Sequence, residues 1–202
     1  MSRTRRDHSP GAGLRGHSLV EMLAALTVLV ALAGLGVPWL RAYQVEARLL
    51  GAGRVFKGEF RRARSMAVRA SVYTAIRFEQ DAEGTWFYGV YADGNGNGVR
   101  AADIRRGVDR RIGAPRRLDG GAPGVRVAIH PSVPSPDGGT LDPSRPIQFG
   151  SSGMLSFSPL GTATPGTFYL AGEVRQAAVR VTPGSARVRL LMWSRGRTWT
   201  ER

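Results

Sequence analysis

Glu21 is the residue whose position in this sequence most demands a partner. It stands at the mouth of an apolar run from Met22 to Leu40 and follows Gly16-His17-Ser18-Leu19-Val20. An ionised group in a bilayer-length helix costs on the order of 2.5–3.5 kcal/mol at the helix centre and less near an end, so it is rarely kept without one. Two other sets of side chains could carry chemistry. Asp93, Asn95, Asn97 and Val99 fall at alternate positions with a glycine in the sixth place, the spacing of a calcium-binding loop, and Asp103 follows one residue before the usual twelfth-position acid. The same residues also make a Gly/Asn-rich turn, because Asn-Gly favours positive φ. Arg187 and Arg189 share one strand face, and Arg195 and Arg197 extend the row between Trp193 and Trp199. Such a stripe can neutralise DNA phosphates. It equally makes a solvated basic surface, or one facing acidic lipids or a neighbouring protein.

For catalysis the chain offers little. Its histidines, 8, 17 and 130, are scattered, so no triad and no two-histidine metal site can be assembled. The absence of cysteine removes disulfides, thiolate metal sites and thiol nucleophiles. We expect no enzymatic activity, no small-molecule substrate and no cofactor, with Ca2+ at the Asp93–Asp103 loop as the one ion the spacing brings up. The net charge of +14 is almost wholly arginine, since Lys57 is the sole lysine. That balance favours acidic partners and says nothing of fold.

These groups must be positioned by an anchor followed by one domain. Residues 1–15 are polar, basic and rich in breakers, a composition that stays cytoplasmic by the positive-inside rule. The run Leu19–Leu40 reads as one helix, and about 20 apolar residues span a hydrocarbon core. A plain transmembrane anchor, a secretory signal cut near Ala31-Leu32-Ala33, and a leader cut after Gly16 all account for that hydrophobicity. The first two leave Glu21 unexplained. Pro38 either kinks the helix or ends it. From Arg41 to about Ala70 the apolar residues recur at three- and four-residue intervals, predicting an amphipathic continuation. Gly51, Gly53 and Gly58 each weaken it by up to about 1 kcal/mol relative to Ala, which predicts a local break.

Beyond Ala70 the pattern is β. Ser71–Glu79 and Thr85–Tyr91 flank a loop of hairpin length, and Gln176–Thr182 and Ala186–Trp193 flank Pro183-Gly184-Ser185. Between them strands are expected at Arg110–Arg117, Val125–His130, Pro146–Phe149, Met154–Ser158 and Thr167–Ala171. The Pro/Gly-rich residues 119–146 read as a variable surface loop around one short strand.

The signature Gly16, His17, Ser18, Leu19, Val20, Glu21, Met22, Leu23 resembles the prepilin signature of type IV pilins and type II secretion pseudopilins. His17 stands where that group usually carries Phe. The resemblance implies that a prepilin peptidase cuts between Gly16 and His17 and that the new terminal amine is methylated. It also implies that Glu21 meets the amine of a neighbouring subunit during filament assembly. The strand after the helix, the Asp93–Arg100 loop and the closing Gly-Ser-Ala-Arg-Val-Arg strand are similar to the GspH/FimT pseudopilin family, over nearly all of residues 16–193. The implied fold class is α+β, pilin-like, with a long N-terminal helix packed on an antiparallel sheet. The implied parts are a leader (1–16), a transmembrane and filament-core helix (17–40), its amphipathic continuation (41–70), a β-rich domain (71–193) and a basic tail (194–202). The implied function is that of a minor pseudopilin in a type II secretion filament for protein export, held in the bacterial inner membrane with its C-terminal domain in the periplasm. Its partners would be the prepilin peptidase, other pseudopilins and membrane lipid. The alternative is a FimT-like minor pilin that binds DNA through Arg187, Arg189, Arg195 and Arg197 during natural transformation.

Overall fold

The computed structural model describes residues 18–118, 122–193 and 198–202, without the side chains of residues 33 and 35–42. The chain divides into two compact units, Met1–Ala42 and Tyr43–Arg202. Helix α1 (Leu19–Ala70) is one element of 52 residues and runs through Pro38, which therefore does not end it. In the first unit the apolar side chains from Leu19 to Leu32 are exposed to solvent. Among the described residues no helix is long and apolar enough to cross a membrane. The span expected over 17–40 includes positions that lie outside the description.

The second unit is α+β. Strands β1 (Thr74–Gln80), β2 (Trp86–Ala92), β3 (Arg110–Arg117) and β5 (Met154–Phe157) form one antiparallel sheet in the order β3-β2-β1-β5. Strands β4 (Ile147–Phe149), β6 (Gly166–Ala171), β7 (Gln176–Val181), β8 (Val188–Trp193) and β9 (Trp199–Glu201) form the other, in the order β4-β6-β7-β8-β9. The inward stripe of α1, with Leu49, Ala52, Phe56, Phe60, Ala63 and Ala67, is buried against both. These residues repeat at three- and four-residue spacing, which puts them on one helical face. Phe60 reaches Phe78 of β1 at 6.4 Å, Phe149 of β4 at 5.8 Å and Phe168 of β6 at 6.3 Å between ring centroids. One helix side chain thus ties together two sheets that share no ladder.

The break expected at Gly51, Gly53 and Gly58 does not occur, since α1 is continuous. Gly53 is there for packing: a Cβ at this position would lie 2.6 Å from Leu190 Cδ1 of β8. The glycine lets helix and sheet approach, and tertiary burial outweighs its weak propensity. The helix ends instead at Ser71, whose φ of 53° takes the left-handed region, with Val72 N–H donating to Ala67 O at 3.2 Å. This turn delays β1 to Thr74, three residues after the expected start.

Val125–His130 is not a strand. Only Arg126 bridges to β6, at Ala171, and the segment is held instead by the buried side chain of Gln176. The Gln176 amide donates from Nε2 to Ala128 O at 2.8 Å and to Leu170 O at 2.9 Å, while its Oε1 accepts the His130 N–H at 2.9 Å. A side chain here stands in for a peptide unit of a neighbouring strand. The 119–146 region is therefore not a loose loop over its described part, since Val125, Ile129 and Val133 are buried. His130, a loop residue as expected, has Nε2 2.9 Å from Gly172 O. Two short elements escape the sequence reading: α2 (Ala101–Arg105) and β9, which occupies part of the segment read as a basic tail.

Candidate functional site

Gly16 and His17 lie outside the described residues, and Glu21 lies within them. Glu21 sits in the first turn of α1, where the Ser18 hydroxyl oxygen accepts its N–H at 3.3 Å and Ser18 O accepts the Met22 N–H at 3.1 Å. Ser18 is thus the N-cap and Glu21 the third helical residue, the Ser-x-x-Glu spacing of a capping box. A carboxylate there also meets the positive end of the helix dipole, worth roughly 0.3–1 kcal/mol at an exposed site. The sequence carries this capping signal openly, but the membrane reading of Glu21 passes over it. The exposed carboxylate keeps its capacity to accept an external cation.

The Asp93–Asp103 loop closes on itself. Asp93 Oδ1 accepts the N–H of Asn95 at 3.0 Å and of Gly96 at 2.9 Å, and its Oδ2 accepts the Gly98 N–H at 2.7 Å. Asn95 Oδ1 faces the Asn97 N–H at 3.3 Å, and Val99 is buried against Ala75 and Tyr91. Asp103 accepts from Asn97 Nδ2 at 3.2 Å and from Arg106 at 2.6 Å. Burial disfavours the charged form of Asp103, yet the Asn97 amide and the Arg106 guanidinium outweigh it and hold the carboxyl below its ordinary value. Asp109, which the sequence reading left out, completes the loop by accepting the Gly94 N–H at 3.1 Å and the Arg100 N–H at 2.8 Å. Among the described residues no group of three or more His, Cys, Asp or Glu is placed to hold a metal ion.

Of the four candidate DNA-binding arginines, Arg195 and Arg197 lie outside the described residues. Arg189 on β8 and Arg187, which immediately precedes that strand, both meet Glu201 of β9. Arg187 Nη2 is 3.3 Å from Glu201 Oε1, and Arg189 Nε donates to Oε2 at 2.8 Å. The antiparallel return of β9 carries this acid onto the stripe, with Leu191 paired to Glu201. The hydrogen bonds from Arg189, opposed by desolvation, hold the Glu201 carboxyl below its ordinary value. A carboxyl lowered on folding stabilises the fold above its unfolded value, about 4.3 for Glu, and the contribution is lost as pH falls through the folded value. We therefore expect a carboxyl-detected NMR titration to give Glu201 a midpoint below that of unfolded Glu, rising towards it in R189Q. Equal midpoints in the two proteins would show that the pair is not formed in solution.

A cleft of about 710 Å³ lies at Pro131–Pro134, Gly139–Leu141, Val174, Arg175 and Trp193. Among the described residues its lining is mainly apolar and contains no histidine or carboxylate, so these residues pair no nucleophile with a base. Arg175 at its rim is engaged by Glu46 at 2.8 Å. Nothing in these arrangements assembles a catalytic centre among the described residues.

The family model for the type II transport protein GspH matches residues 52–185. The matched stretch begins within α1, takes in Phe56 and Phe60, and continues into the β7–β8 turn. No curated protein and no solved structure matches the chain. A match over more than half of the sequence, on a helix packed against antiparallel sheets, places the chain in a family of structural rather than catalytic proteins: it belongs to the GspH family of type II transport proteins.

Proposed function

We propose that this chain is a minor pseudopilin of a type II secretion filament. The reading is carried by the GspH match over residues 52–185, which takes in the sheet-packed residues of α1 from Ala52 to Ala67. In this reading residues 17–40 span the cytoplasmic membrane and later join the filament core, with the Tyr43–Arg202 unit in the periplasm. The peptidase cuts after Gly16, His17 becomes the methylated terminus, and Glu21 accepts the amine of the next subunit. The exposed apolar face from Leu19 to Leu32 supports it, because such a surface needs lipid or neighbouring helices to cover it. The DNA-capture alternative has less to work with, since Glu201 already engages Arg187 and Arg189.

The test is mass spectrometry of the chain co-expressed with a prepilin peptidase. A terminus at His17 bearing one methyl group is expected, together with loss of cleavage in G16L. In E21A the cut should persist while incorporation into filaments is lost. A terminus at Met1 or at Gly34 in the parent chain would overturn the reading.

A further inference from the structure

The segment from Asp93 to Arg117 sorts its charges by depth. Its three carboxylates, Asp93, Asp103 and Asp109, are buried, at 8%, 3% and 2% exposure. Asp93 and Asp109 accept backbone N–H groups, and Asp103 accepts from Asn97 and Arg106. Its arginines, by contrast, are all exposed. Arg106 is tied to Asp103 and Arg116 to Glu59. Arg100, Arg105, Arg110 and Arg111 make no ion pair among the described residues. The loop thus holds its anions inside and presents unneutralised cations outside, so the surface is complementary to an acidic partner.

These cations border an open sheet edge. β3 is the terminal strand of its sheet, is exposed at all eight positions, and makes its described backbone ladder with β2 alone. Register places Arg111 opposite Tyr91 and Arg117 opposite Phe87, so both lie on the sheet face that carries Gly89. The stem of Arg111 lies over Gly89, where a Cβ would come within 3.3 Å of Arg111 Cδ. That glycine seats the Arg111 stem on the sheet. The bulge near Gly113, with φ of 80°, and the missing N–H of Pro115 confine a regular added ladder to Arg110–Ile112. A second copy of β3 would set arginine against arginine, which is unfavourable. The edge therefore rejects its own kind and admits a strand of opposite charge.

We propose that the Arg110–Ile112 edge of β3 is a docking strip for a short, extended, acidic protein segment. Main-chain hydrogen bonds would add the segment to the sheet, and its carboxylates would pair with Arg110 and Arg111. A lipid or nucleic-acid phosphate can accept from a main-chain N–H but offers no alternating donors for the C=O groups of the edge, whereas an extended peptide matches both, which is why a peptide is the favoured occupant. The inference does not depend on the pseudopilin reading.

The experiment uses the full chain in non-ionic detergent micelles and a fluorescein-labelled Thr-Val-Glu-Glu-Val-Thr peptide, whose adjacent glutamates face opposite sides of an added strand as Arg110 and Arg111 do, followed by anisotropy across a salt series. Binding is expected for the parent, weakened by salt and by about tenfold in R110E/R111E. It should be retained in R48E/R54E, which reverses two exposed charges elsewhere. A peptide with alternate backbone nitrogens methylated keeps its carboxylates and should bind more weakly, because it cannot complete the ladder. Thermal unfolding of R110E/R111E checks that the domain is intact. Absence of parent binding, equal binding by R110E/R111E, or equal binding of the methylated peptide would overturn the proposal. So would arginine-dependent binding of phosphatidylglycerol vesicles or single-stranded DNA without peptide binding.

Discussion

Phe60→Ala should destabilise the Tyr43–Arg202 unit by about 3–5 kcal/mol, the range for truncating a fully buried aromatic. Phe60 is 1% exposed and its ring meets phenylalanines from β1, β4 and β6. Those strands belong to different sheets, so collapse around the vacated space would require two ladders to move together. The loss should therefore lie near the upper end of the range. Aromatic pairs of this kind add about 0.5–1.5 kcal/mol beyond area burial, which acts in the same direction. Urea unfolding of the full chain in micelles, followed by tryptophan fluorescence, measures it. Phe60→Leu, which keeps most of the apolar volume, should recover roughly half the loss. A change under about 1 kcal/mol for Phe60→Ala would mean that the helix does not tie the sheets together as described.

Gln176→Leu is expected to cost a comparable amount, about 3–5 kcal/mol, by a different cause. The substitution nearly preserves size but leaves Ala128 O, Leu170 O and the His130 N–H without the partner they have at 2.8–2.9 Å. Each unsatisfied buried polar group costs about 1–3 kcal/mol, and water reaching the freed 125–130 segment offsets part of the sum. Hydrogen exchange separates the two variants. In Gln176→Leu protection should fall first at the His130 amide, whereas in Phe60→Ala it should fall across β1, β4 and β6. Unaltered protection at His130 would show that the side chain is not what holds the segment.

The sequence carried what depends on local alternation and lost what depends on return contacts. The hairpins β1–β2 and β7–β8 were legible because apolar residues alternate on either side of turn residues. The helix break at Gly51, Gly53 and Gly58 was a sound reading of propensity, but Gly53 serves an approach by Leu190 that only the folded chain reveals. Val125–His130 has strand composition, yet a single glutamine far along the chain supplies the hydrogen bonds a strand would have given. β9 is three residues long, too short to show a period, and it alone delivers Glu201 to Arg187 and Arg189. Hence the arginine stripe could be read and its neutralisation could not. The inward aim of Asp93, Asp103 and Asp109 was hidden for a similar reason, since their spacing suits an ion and a self-closing loop alike.

The position of Ser18 bears on how a leader could be removed at all. Helix α1 starts at Leu19 and takes its N-cap from Ser18, one residue beyond the proposed new terminus at His17. Everything that starts the helix would therefore be inherited by the product of the cut. A peptidase cutting after Gly16 would leave Ser18 and the first helical turn in the product, and with them the cap that closes the helix. The new amine would belong to the residue four positions before Glu21 in the sequence, so each subunit would offer its own carboxylate as well as its neighbour's. Assembly would be governed by that competition rather than by attraction alone.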